Sequence, residues 1–113
     1  FMEMIECIRL DGGRFDILNG FDEMLLCGMA VGARGGVGST YNYSLRTYQN
    51  IYDAFMAGDL EQARAAQQES VDIVHVIINH GGGIRGGAEF KAVQIGGRRT
   101  PGDRFQKVAR IQS

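Results

Sequence analysis

Residues 15–42 read FDILNGFDEMLLCGMAVGARGGVGSTYN, and the alternation of elements within this stretch decides the fold class. Phe15, Ile17 and Leu18 form a short apolar run closed by the turn formers Asn19-Gly20, the pattern of a buried strand. Asp22 then sits where the first N–H groups of a helix lack acceptors, so its carboxylate is expected to cap the next helix. Met24, Leu25, Gly28 and Met29 fall on one face of that helix, and Gly32 supplies its stop. The following Gly35-Gly36-Val37-Gly38-Ser39-Thr40 is too brief for a helix. It predicts a second strand pressed close to other backbone.

The flanks extend the same alternation. Phe1, Met4, Ile5 and Ile8 recur at helical spacing over residues 1–9, and Asp11-Gly12-Gly13 closes that segment as a turn. Beyond the second strand, Ser44 is expected to cap a helix that carries Leu45, Tyr48, Tyr52 and Phe55 on one face and stops at Gly58. Asp59 and Gln62, three apart, resemble a capping box. They open a longer helix with the apolar stripe Leu60, Ala63, Val71, Val74 and Ile78, ended by Gly81-Gly82-Gly83. Strands alternating with helices indicate an α/β fold with a parallel sheet. Two strands alone are marginal, and parallel sheets need cover on both faces. Residues 1–83 are therefore expected to be a slice of a larger α/β domain, and 84–113 a divergent tail.

Composition narrows the class. The chain has 113 residues, 44% of them hydrophobic and 22% charged, as in an ordinary globular domain or part of one. No apolar run approaches the roughly 18 residues of a membrane span. The opening FMEMIECIRL carries acids in place of a basic leader and apolar core, so no secretory signal is expected. Cys7 and Cys27 are too few for a disulfide framework and lack metal-ligand spacing; they predict reduced, buried thiols in a cytoplasmic protein. Glycine supplies 17 residues, about twice its usual share. Seven of the twelve bases lie in 84–113 with two of the thirteen acids. A basic tail can signal nucleic-acid contact, but the tyrosines do not interleave with bases as a stacking platform would. Solvated charge is the plainer reading, and no nucleic-acid partner is expected. His75 and His80 lie about 140° apart around a helix and read as surface residues. Gly35 to Gly38 lacks the lysine and spacing of a phosphate loop.

The strings Asn19-Gly20-Phe21-Asp22-Glu23 and Gly35-Gly36-Val37-Gly38-Ser39-Thr40-Tyr41-Asn42, at fixed separation, resemble the N-acetylneuraminate lyase family. This family belongs to the pyruvate-dependent class I aldolases, with dihydrodipicolinate synthase. The resemblance runs from about Phe15 to Gly83. It implies the C-terminal portion of a (β/α)8 TIM barrel, with the seventh and eighth strands and the helices after them. Relatives that make dihydrodipicolinate usually carry a second Asp where Glu23 stands, and a Ser-Val-Thr-Ala-Asn-like string where this chain has Gly-Ser-Thr-Tyr-Asn. The combination here leans toward the sialic acid enzymes.

The resemblance also implies a site. Barrel enzymes place their chemistry on loops at the C-terminal ends of the strands, so both strings would face one mouth. Gly20, Asp22, Glu23 and Ser39 would bind the polyhydroxylated tail of sialic acid. Ionised Asp22 and Glu23 accept hydrogen bonds from hydroxyls, and Gly20 lets a ligand approach the backbone. Plainer roles stay open beside these. Asp22 can be only a cap, Glu23 can favour a helix dipole, and Ser39 can satisfy a glycine-rich turn. The implied reaction is reversible cleavage of sialic acid to N-acetylmannosamine and pyruvate through a lysine Schiff base, with no metal or cofactor. Lys91 and Lys107, the two lysines, fall in the tail and match no family lysine, so no catalytic residue is expected in this chain. The family further implies a cytoplasmic homo-oligomer, a tetramer. Another pyruvate aldolase and a non-catalytic fragment are the competing readings.

Overall fold

A computed structural model describes residues 2–79, 81 and 82. The helix expected at the start is α1, Met2–Arg9, followed by a 3-10 turn over Leu10–Gly13. A second 3-10 turn, Asp22–Met24, leads into the short α2, Leu25–Ala30. Two longer helices complete the described chain, α3 over Tyr41–Met56 and α4 over Leu60–Asn79.

The expected pair of parallel strands is reduced, among the described residues, to one parallel bridge between Asn19 and Gly36. Phe15 is 46% exposed, and Ile17 and Leu18 are half-buried. The physical reason is the shortage of partners. Strands with nothing on their outer edges and nothing covering their faces gain too little to extend a ladder. What forms instead is a helical core. Leu25, Tyr48 and Ile51 are fully buried, with Met29, Tyr52 and Ala63 around them. The short Ala57–Asp59 connection turns α4 back antiparallel against α3, and Thr47 Oγ1 donates to Glu69 Oε1 (3.0 Å) across the pair.

Several helix signals act as the residue types require. Gly58 takes φ +78° and its N–H donates to the Phe55 carbonyl, which ends α3. Asp59 Oδ1 accepts the Gln62 N–H at 3.0 Å, capping α4. Gly81 and Gly82 have positive φ and donate to Ile78 and Ile77, closing α4; Gly83 and the tail 84–113, with both lysines, lie outside the described residues.

Other expectations are corrected. The helix expected from Ser44 already has a turn before it: α3 runs from Tyr41, and Ser44, at φ −132°, ψ 33°, marks the kink where one helical stretch gives way to the next. The buried face of α4 is turned away from its most apolar stripe. Ala63, Ala66, Ser70 and Ile77 face inward, Val71 and Val74 are half-buried, and Leu60 and Ile78 stay on the rim at 44% and 59% exposure. Small side chains let the helix axes close, and Gln67 on the same side accepts the Leu26 N–H across the contact. The cysteines are exposed, not buried. Cys7 lies on α1, which buries no residue. Cys27 lies roughly opposite Leu25 and Met29 on α2, by the 100° step of a helix. His75 is exposed, as expected, and His80 lies outside the described residues. No helix among the described residues is long and apolar enough to cross a membrane.

Candidate functional site

The single bridge sets the geometry of the site. The Asn19 N–H donates to the Gly35 carbonyl (2.9 Å), and the Val37 N–H donates to the Asn19 carbonyl (2.8 Å). The bridge is parallel, so the chain leaves it in one direction on both sides. Gly20–Glu23 and Val37–Ser39 therefore emerge side by side at one end. Asn19 is buried, and its Nδ2 donates to the Phe21 carbonyl (2.7 Å), bending the first string over the bridge.

Asp22 joins the two strings. It is 7% exposed, and its Oδ2 accepts both the Thr40 N–H (3.0 Å) and the Thr40 hydroxyl (2.5 Å). A Cβ at Gly38 would overlap the Asp22 carboxylate, so glycine there is what allows the carboxylate to lie against the second string. This arrangement replaces the expected helix cap, since no side chain hydrogen-bonds as an N-cap to the 3-10 turn or to α2 from the preceding residue. A carboxylate that accepts two bonds from one residue is more fully satisfied than one that accepts a single helix N–H.

A third residue completes the chain of bonds. Thr40 has one hydroxyl proton and gives it to Asp22, so in its second contact, 2.6 Å from Tyr48, the phenol must donate. Burial, with the Asp22 charge adding to it, pushes the Tyr48 phenol from 10.0 up to about 12. Tyr48 thus keeps the proton that this bond requires. Tyr41 packs on Tyr48 with ring centroids 4.2 Å apart, and its own phenol is raised further by burial and then by Asp22.

Of the four residues expected at a ligand, Asp22 is buried within this network and Glu23 is half-buried beside it. Gly20 and Ser39 are exposed. Ser39 lies between Gly38 and Thr40, both held against Asp22, so its position is fixed from either side. Gly20 has open space where a Cβ would sit. The Asp22 carboxylate is thus held by Thr40, while Glu23, Ser39 and the Gly20 backbone lie on the two strings that leave the bridge at the same end. An acid, a hydroxyl and bare backbone are groups able to hydrogen-bond hydroxyls. Among the described residues no group of three or more His, Cys, Asp or Glu is placed to hold a metal ion.

Three members of the network were not singled out from the sequence. Thr40 stands in the string without a role, and the spacing of Tyr48 fits the core or the mouth without assigning it a bond. Gln67 carried no signal. Its Oε1 accepts the Leu26 N–H (2.8 Å) and its Nε2 reaches the Asp22 carbonyl (3.4 Å).

Comparison with known proteins places this geometry in a family context. Residues 1–92 match the model of the dihydrodipicolinate synthetase family. N-acetylneuraminate lyases of Escherichia coli, among them those of strains K12 / DH10B and O157:H7, are 36% identical over 77 residues. That match covers 68% of this chain and 26% of each relative, so the chain spans about a quarter of the length of these relatives. A solved structure, Proteus mirabilis N-acetylneuraminate lyase, superposes with a TM-score of 0.72 at 32% identity, over 88% of this chain and 35% of that one.

Proposed function

The chain belongs to the dihydrodipicolinate synthetase family, and from that premise we propose that it is the sugar-tail-binding portion of a class I aldolase that cleaves N-acetylneuraminate. In this reading it forms the C-terminal part of a (β/α)8 barrel, with the barrel elements in 1–83 and 84–113 beyond them. The observation that carries the reading is the Asp22–Thr40 pair. It ties two strings 18 residues apart to one end of a parallel bridge, the end at which a barrel keeps its site.

Each residue then has a role. Glu23 and Ser39 offer an acceptor and a hydroxyl to the polyol, and Gly20 lets it approach the main chain. Asp22, held by Thr40, fixes both strings and adds a carboxylate oxygen at the base of the site. The ketone end of the substrate needs a lysine amine to form a Schiff base. Lys91 and Lys107, the two lysines of the chain, match no family lysine, so in this reading neither supplies that amine. Working as a cytoplasmic homo-oligomer, a tetramer, belongs to the same proposal.

Exchanging the matching segment of the Escherichia coli lyase for residues 15–83 tests the substrate. The graft should trap pyruvate on borohydride reduction and cleave N-acetylneuraminate. A graft that traps pyruvate but cleaves only other aldol substrates, or none, sinks the sialic acid reading and favours another pyruvate aldolase or a non-catalytic piece. The 113-residue chain alone should trap no pyruvate; a borohydride-stable adduct on Lys91 or Lys107 would contradict the assignment of the amine.

A further inference from the structure

The turn that carries Glu23 is held from below by a residue 41 positions further along the chain than the amide it meets. Gln67 lies on the inward side of α4, between the small residues Ala63, Ala66 and Ser70. Its amide oxygen accepts the Leu26 N–H at 2.8 Å. Its amide nitrogen lies 2.5 Å from Ser70 Oγ and 3.4 Å from the Asp22 carbonyl. Ser70 is fully buried, and its own hydroxyl is fixed on the Gln67 carbonyl (2.7 Å). The side chain is thus locked at its far end, and its two polar atoms address main-chain groups on either side of Glu23.

Of those two groups, the Leu26 N–H is the one that the helix start leaves to be satisfied. The Asp22 carbonyl already takes the Leu25 N–H at the end of the 3-10 turn. The next N–H, that of Leu26, is taken up by Gln67. A helix start that lacks a cap of its own is here completed by a glutamine on another helix. We propose that Gln67 is the positioning residue for the Gly20–Glu23 string, setting where Glu23 and the Asp22 carboxylate are presented. That this string serves a sugar tail rests on the function proposed above; that Gln67 holds it rests on the hydrogen bonds alone.

Amide hydrogen exchange on the full 113-residue chain tests the second claim apart from the first. The comparison sets the wild type beside Gln67→Met, which keeps the length but removes both polar atoms, and Gln67→Glu, which keeps an acceptor oxygen. In Gln67→Met the Leu26 amide should exchange roughly 3- to 10-fold faster, the worth of one net hydrogen bond. Amides of α3 around Ile51 should hold their rates. Gln67→Glu keeps the acceptor for the Leu26 N–H but loses the donor to the Asp22 carbonyl, so the Leu26 amide should exchange more slowly than in Gln67→Met and faster than in wild type, a ranking that a purely space-filling role would not give. Equal Leu26 rates in wild type and Gln67→Met overturn the proposal. So does a loss of protection shared by α3, or a Gln67→Glu whose Leu26 rate is no lower than that of Gln67→Met. None of these readings depends on the substrate, which the graft assay tests by itself.

Discussion

At the scale of single residues, the site is defined by where a side chain cannot be. Gly38 and Gly20 look alike in the sequence, each a glycine within a polar string. In the fold a Cβ at Gly38 would collide with the Asp22 carboxylate, whereas at Gly20 it would meet nothing within 4 Å. Gly38→Ala should therefore cost about 1–3 kcal/mol, the price of overpacking a close contact. Gly20→Ala should stay within about 0.5 kcal/mol, as an exposed substitution does. Urea unfolding of the two variants measures the difference, and equal losses would mean that Asp22 does not rest on the Gly38 backbone. The proposed division of labour gives a second expectation. In the grafted lyase, Glu23→Gln should lower kcat/KM for N-acetylneuraminate roughly 10- to 150-fold, the loss of one charge-assisted hydrogen bond. Pyruvate trapping should be nearly unchanged. A parallel loss in both assays would put Glu23 at the ketone rather than at the tail.

At the scale of elements, the helix starts differ in what completes them. α4 is capped locally, because Asp59 Oδ1 holds the Gln62 N–H. α2 is completed from a distance, because Gln67 reaches the Leu26 N–H. The two starts respond differently to mutation. Asp59→Ala removes a local cap and should cost about 0.5–2 kcal/mol, read as a lower thermal midpoint in far-UV circular dichroism. The Leu26 amide should keep its exchange rate in that variant. A midpoint unchanged by Asp59→Ala would show that α4 is held by its packing on α3 alone. The same comparison explains why Asp22 is not a cap: its carboxylate is engaged 18 residues away by Thr40.

At the scale of the whole molecule, the core and the site share their tyrosines. Tyr48 is fully buried at the centre of the core and also donates to Thr40 beneath the site. Its phenol is raised from 10.0 to about 12, first by burial. A phenol that holds its proton more tightly when folded contributes stability that is fully present below the unfolded value. That stability is lost as pH rises through the folded one. The chain should thus hold its stability up to about pH 10 and lose it between 10.0 and about 12. Tyrosinate absorbance should rise together with loss of helical signal. Tyr48→Phe should remove part of this alkaline sensitivity, leaving the share that Tyr41 carries. Smooth tyrosinate formation with the helices intact would place Tyr48 in contact with water.

Local chemistry made much of this chain legible from its sequence. The helix stops at Gly58 and Gly81-Gly82, the Asp59 cap, and the buried faces of α2 and α3 depend on neighbours within a turn or two. Residue type and spacing are enough to specify such features. The two polar strings were legible too, as was their resemblance to the aldolases, because short strings at fixed separation survive in a single sequence. Tertiary structure alone decided the rest. Whether the runs at Phe15 and Gly35 become strands depends on how many partners lie beside them, and here one residue pair bridges. Which face of α4 is buried depended on the polar groups across the contact, which Gln67 meets at Leu26 and Asp22, while Ile78 stays on the rim. By its sequence Asp22 could serve a helix end, a ligand or both. Thr40, brought close by the parallel bridge, offered its carboxylate two donors where the helix offered one.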